Sequence, residues 1–153
     1  MIPQRVRDVL EKYGLEALEF EPGSTSTSVS AAEKLGVSVA RIAKSILFLG
    51  KDGRYTMVVC SGDRRISSSK LKKTLGVKAR MATADETREA TGFEPGGVCP
   101  FSVDGIEIYV DRSLEPFETI YPAAGTDSSG VPMTFDQLRR ITGGRVCDVV
   151  SDG

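Results

Sequence analysis

The sequence predicts a single mixed α/β domain over residues 1–153, with a mixed, partly antiparallel, barrel-like sheet and helices packed on it. Three observations carry that expectation. Helical and strand periodicities interleave along the chain. A hairpin stands among them, which argues against a purely parallel doubly wound sheet. A length of 153 residues suits one domain with its own core, and no repeat, linker or low-complexity tract divides it.

Taken in order, Ile2, Val6, Val9, Leu10 and Tyr13 recur at helical spacing, and Gly14 supplies a left-handed stop. A short apolar stretch, Leu15 to Phe20, runs into Pro22-Gly23 and a hydroxyl-rich loop from Ser24 to Ser28. Ser30-Ala31-Ala32-Glu33 has the form of a capping box opening a helix that Gly36 ends. Ser38 is placed to cap one further turn. Ile42 to Leu49 reads as a strand, Gly50-Lys51-Asp52-Gly53 as a turn, and Tyr55 to Cys60 as the returning strand. The Ser67-Ser68-Ser69-Lys70 run starts a helix over Leu71 to Leu75, stopped by Gly76, and Val77 to Met81 reads as a short strand. Thr83-Ala84-Asp85-Glu86 is a second capping box, whose helix ends at Thr91-Gly92.

Residues 93–101 are too rich in Pro and Gly for regular structure. Ile106 to Val110 reads as a strand, Thr119 to Ala123 as another, and Val131 to Met133 as a short one after a polar loop. Thr134-Phe135-Asp136-Gln137 is a third capping box, with its helix ending at Gly143-Gly144, and Arg145 to Val150 closes the chain as a strand.

Composition excludes whole classes of chemistry. The chain contains no histidine. That removes Ser-His-Asp and Cys-His nucleophile systems, HExxH zinc sites and histidine pH switches. Cys60, Cys99 and Cys147 lie far apart without a CxxC pair, so zinc and dithiol-redox readings fail on spacing, and the pattern is that of a reducing compartment. Lys plus Arg (20) nearly balance Asp plus Glu (21), which excludes a globally basic nucleic-acid binder but not a local basic edge. The amphipathic start reaches Arg5 too soon for a signal peptide, and the longest apolar run, Ile46 to Leu49, is far short of a membrane span. The expected setting is the cytoplasm, with no membrane and no DNA partner.

Four features can carry chemistry. Alternation puts Lys44 on the same strand face as Ile42, Ile46 and Phe48, an odd place for a charge. It reads either as an edge lysine that snorkels to water or as an ammonium held in a pocket to grip an anion or polarise a carbonyl. Gly96-Gly97, between Pro95 and Val98, either form a tight turn or aim backbone N–H groups at an oxyanion. Gly125-Thr126-Asp127-Ser128-Ser129 is either turn chemistry or a polar substrate site. Between residues 63 and 80, Arg64, Arg65, Lys70, Lys72, Lys73, Lys78 and Arg80 face a single acid, Asp63, which reads as a solvated face or a phosphate-tracking stripe.

In this order the residues resemble the YbaK/prolyl-tRNA-editing domain family, free-standing proteins related to the editing insertion of bacterial prolyl-tRNA synthetase. The likeness is carried by residues 31–37, by Ile42-Ala43-Lys44-Ser45-Ile46-Leu47-Phe48, by Gly62-Asp63, by Thr91-Gly92-Phe93-Glu94-Pro95-Gly96-Gly97-Val98-Cys99-Pro100-Phe101 and by Ala123-Ala124-Gly125-Thr126-Asp127. It spans about Ser28 to Val150, and the TGFxPGGVxPF run is its most specific part.

The resemblance implies hydrolysis of the ester that joins a wrong amino acid to the 3′ end of a tRNA, with no metal and no cofactor, the tRNA's terminal ribose hydroxyl assisting the water. It carries over Lys44, Gly96, Gly97 and Gly125; with them, Lys44, Gly97, Gly125 and Asp127 are the candidate catalytic residues, and Ser45, Gly96, Val98, Pro100, Thr126, Ser128 and Ser129 the candidate substrate-binding ones. Arg64, Arg65 and Lys70 would hold the tRNA, and an aminoacyl-tRNA synthetase is a candidate partner. Several relatives carry a histidine in the second loop, where this chain has Thr126 to Ser129, and these hydroxyls favour a small amino acid such as Ser, Thr, Ala or Cys. Two other readings stand beside this one: a non-catalytic protein that keeps the pocket to bind tRNA ends, a nucleotide or a synthetase, and an esterase with Cys99 as nucleophile.

Overall fold

The computed structural model describes residues 1–152. Helix α1 (Gln4–Lys12) buries Val6 and Leu10 and ends before Gly14, whose φ of 69° makes the turn. A two-residue strand β1 (Leu18–Glu19) follows, then helix α2 (Ser28–Leu35). After a 3₁₀ turn at Val39–Arg41 come strands β2 (Ala43–Gly50) and β3 (Tyr55–Ser61), joined by the expected hairpin. Helix α3 (Ser68–Leu75), strand β4 (Ala79–Met81) and helix α4 (Ala84–Thr91) lead to a second 3₁₀ turn, Pro95–Gly97. Strand β5 (Glu107–Asp111), a 3₁₀ turn at Arg112–Leu114, strand β6 (Ser129–Gly130), helix α5 (Phe135–Thr142) and strand β7 (Arg145–Cys147) complete the order.

The main sheet has five strands in the order β4-β2-β3-β5-β7. β2 runs antiparallel to β3 and β4, whereas β3–β5 and β5–β7 are parallel, so the sheet is mixed as expected. It is not a closed barrel: β4 and β7 are its edges, and the separate β1–β6 pair does not join them.

Alternation gives each sheet face its own core. Leu47, Met57, Val59, Ile108 and Val110 pack with Val6 and Leu10 of α1 and Leu138 of α5. Phe48, Val58, Cys60 and Tyr109 pack on the opposite face with Leu71 of α3. Val58, Val59 and Val110 are fully buried, each contributing about 1.5–3 kcal/mol relative to exposure.

Four expectations need correction. α2 is capped by Thr27, not Ser30: the Thr27 backbone is extended, its hydroxyl accepts from Ser30 N–H, and Ser30 returns the bond as the N3 residue. Thr119–Ala123 is not a strand; single bridges pin it at Ile120–Met133 and Ile42–Tyr121, and Pro122 has no N–H to extend a ladder. The short strand expected at 131–133 lies instead at Ser129–Gly130, paired with β1. The last strand stops at Cys147, because the buried Asp111 carboxylate takes the Val149 N–H at 2.7 Å and draws the chain off the ladder. The capping boxes at Thr83/Glu86 and Thr134/Gln137 form as read.

Candidate active site

Where β2 begins, its outer edge is free. β3 lies on one side, but β4 pairs only from Phe48 onward. On the outer side Ala43 N–H donates to Tyr121 O at 3.1 Å, and Leu47 O accepts from Ala82 N–H at 2.8 Å. In an antiparallel ladder these outward groups alternate with inward ones, so Ser45 N–H and C=O point to the same outer edge, between the two bridges. Among the described residues they have no backbone partner there. The Ser45 hydroxyl oxygen is also buried and unpartnered. One residue thus offers a donor, an acceptor and a hydroxyl.

That edge forms one wall of a cavity of about 100 Å³. Thr25 to Ser28 and the start of α2 form a second wall, Pro95, Gly96 and Val98 a third, and Tyr121, Ala123 and Ser129 the remainder. The hydroxyl-rich loop is tied down from the far end of the chain: Ser129 N–H donates to Thr25 Oγ1 at 3.0 Å, Thr25 N–H to Asp127 O at 2.7 Å, and Gly23 N–H to the Asp127 carboxylate at 3.0 Å.

The glycine loop is shaped by close approach. Gly97 N–H closes the 3₁₀ turn on Glu94 O at 2.8 Å. The N–H groups of Gly96 and Val98 have no partner within the protein among the described residues, and both residues line the cavity. Two residues with unpartnered backbone donors therefore line the same cavity as Ser45. Pro100 is buried and does not line the cavity.

Lys44 borders this cavity and a second groove on the α3 side of β2. Its ammonium donates to the carbonyls of Arg64 and, at 3.5 Å, of Gly62. An ammonium has three donors, so one remains.

The second loop divides. Ser129 lines the cavity, while its hydroxyl accepts from Ala124 N–H at 3.0 Å and from Thr126 Oγ1 at 2.8 Å. Thr126, Asp127 and Ser128 do not line it. Gly125 has a φ of 88°, and a Cβ there would lie 2.8 Å from the Phe93 ring, which carries the Arg5 guanidinium 4.1 Å from its centroid. Of the basic residues, Arg64 binds Ser151 O at 2.7 Å, and Lys70 binds Val150 O at 2.9 Å and pairs with Asp152 and Asp148 at 3.2 and 3.6 Å. The Asp152 hydrogen bond above all holds the Lys70 ammonium above its usual range. Arg65 is exposed and lines the groove on the α3 side.

Sequence reasoning did not assign Thr25 to Ser28 or Tyr121 to the site. The dense hydroxyl run at 24–28 was the available signal. Cys99 is fully buried in the core, where desolvation pushes its thiol up to about 12, and it is not at the cavity. Among the described residues no three His, Cys, Asp or Glu side chains converge to hold a metal ion, and no helix is long and apolar enough to cross a membrane.

Comparison with known proteins identifies the family of the chain. A protein of Bacillus subtilis (strain 168) named YwhH is 41% identical over 139 residues, covering 90% of this chain and 88% of the relative. A proline–tRNA ligase of Halalkalibacterium halodurans is 31% identical over 102 residues, which is 66% of this chain but only 18% of the ligase. The crystal structure of a candidate trans-editing enzyme for prolyl-tRNA synthetase superposes with a TM-score of 0.88 at 33% identity, over 97% of this chain and 96% of the other. The model of the aminoacyl-tRNA editing domain matches residues 22–141, taking in the hydroxyl loop, the β2 edge, the glycine turn and the 121–129 segment that enclose the cavity, and the chain belongs to that family.

Proposed function

We propose that the protein is a trans-editing deacylase, hydrolysing the ester of a small amino acid, of the Ser, Thr, Ala or Cys type, on the 3′ end of a mischarged tRNA. The observation that carries the reading is the buried, unpartnered Ser45 Oγ on the open β2 edge, in a small cavity that Gly96 and Val98 also line. Buried polar groups left unpaired are costly, and a ligand that pairs with them recovers that cost. A small cavity lined by hydroxyl-bearing residues suits a short polar side chain.

The residues divide by role. Water adds to the ester carbonyl, and the negative charge on its oxygen is met by Gly96 and Val98 N–H. Collapse of the adduct breaks the ester C–O bond, the ribose oxygen leaving with the proton that the water gives up and the free amino acid being released. The free donor of Lys44 holds the terminal phosphate or the reacting carbonyl. The terminal ribose hydroxyl of the substrate assists the water, as the family resemblance implies, since the chain has no histidine to do so. Ser45 binds the aminoacyl group. Gly97, Gly125 and Asp127 are positioning residues: Gly97 and Gly125 by close approach to Thr126 and Phe93, Asp127 by tying down the loop that carries Thr25. The tRNA is the partner, and a synthetase that hands it over is a second one.

The test is deacylation of a panel of tRNAs charged with Ala, Ser, Thr, Cys and cognate amino acids, with Lys44→Ala alongside. Loss of one or two esters, abolished in the variant, is expected. Stability of every ester with wild-type protein would overturn the reading.

A further inference from the structure

The α3 side of β2 holds a groove of about 390 Å³, within the range of about 300–1,000 Å³ typical of ligand sites. Its floor is apolar, made by Ile46, Phe48, Leu71 and Ala79. Met81 stands at its rim with 64% of its surface exposed, although it is a large apolar residue. Three cations line it, Lys44, Arg65 and Arg80, and no acidic residue does. Glu86 fixes the Arg80 guanidinium through two parallel bonds of 2.8 and 2.9 Å. No ion pair to the Arg65 guanidinium forms among the described residues; only its carbonyl is engaged, by Ser151.

Lys44 borders both this groove and the reaction cavity. A chain that carries its ester into the cavity and its negative charge along the strand would pass from one to the other at that residue.

We propose that this groove binds the nucleotide preceding the esterified terminal ribose, its base on Met81 and the apolar floor and its phosphate between Arg65 and Lys44. The proposal rests on the deacylase reading and adds a second nucleotide subsite to it. Apolar platforms flanked by cations hold single-stranded nucleic acid by stacking and phosphate pairing without reading sequence. The charge pattern decides the occupant: a floor of this kind ringed only by cations matches an anionic strand better than an apolar peptide.

The test compares two substrates carrying the same amino acid ester, one on adenosine alone and one on a full tRNA. Met81→Glu places an acid at an exposed rim position, and Met81→Leu is its conservative control. The expected result is a KM for the tRNA raised about tenfold or more by Met81→Glu and not by Met81→Leu, with hydrolysis of the adenosine ester unchanged by either. Unchanged kinetics on both substrates, or equal losses on both, would overturn the subsite. Failure of the wild-type protein to cleave either ester would instead overturn the deacylase reading beneath it, and the subsite with it.

Discussion

Gly97 packs directly on the backbone of Thr126: a Cβ at Gly97 would lie 2.7 Å from the Thr126 carbonyl carbon and 2.9 Å from its nitrogen. Backbone cannot rotate aside as a flexible side chain can. Gly97→Ala must therefore separate the glycine turn from the 121–129 segment, at a cost of about 1–3 kcal/mol. Urea unfolding will show the loss, and deacylation should fall with it, because Gly96 and Val98 move with the turn.

Ser45 behaves in the opposite way. Its hydroxyl is buried without a partner, so removing it relieves an unsatisfied group. Ser45→Ala is expected to leave the unfolding midpoint unchanged or raise it, while cleavage of a seryl ester relative to an alanyl ester falls about tenfold. A drop in stability with unchanged selectivity would show the hydroxyl to be structural.

The Lys44 ammonium holds the carbonyls of Gly62 and Arg64, and the residue lines the cavity. Lys44→Met keeps the apolar stem but orphans those carbonyls, so it should lose both deacylation and about 1–3 kcal/mol of stability. Denaturant melts and turnover on one preparation separate the two effects.

Glu86 is held down to about 2, chiefly by its hydrogen bond from Arg80 and next by Thr83 N–H. A carboxylate with a depressed folded pKa stabilises the fold above its unfolded value, near 4.5, and loses that contribution as pH falls toward the folded value. Glu86→Gln should flatten the acid limb of the stability curve between those values and be less stable than wild type at neutral pH. Thermal melts across that window test it.

Burial pushes the thiols of Cys60 and Cys99 up to about 12 and that of Cys147 higher still. At pH 8 each therefore stays protonated as well as buried. Native protein is expected to resist iodoacetamide, by intact-mass measurement, and to react fully once denatured. Cys99→Ala should retain deacylation.

Local physics made much of the fold legible. Two capping boxes, the β2–β3 hairpin and the glycine stops at Gly36, Gly76, Gly92 and Gly143 depend on neighbours a few residues apart, and they form where the residues place them. The errors came where distant groups compete. Nothing near Val149 announces that Asp111 will take its N–H, and the hydroxyl run from Ser24 to Ser28 contains several possible caps, of which Thr27 wins by its extended backbone. Of the cavity lining, Lys44, Ser45, Gly96, Val98 and Ser129 could be named from the sequence, because they stand in short runs. Tyr121 and Thr25 could not, because only tertiary closure brings them to the cavity.

The bond between Thr25 and Ser129 spans 104 residues of chain, and with Asp127 it holds one wall of the cavity to another. A ribosome elongating this protein has therefore built the β2 edge and the glycine turn well before it supplies the segment that encloses them. Until then the cavity is not enclosed. Activity in a series of C-terminally shortened chains should consequently switch on in one step when residues 121–129 and the strands that anchor them are complete, and fragments ending at the glycine turn should be inert however well they are folded.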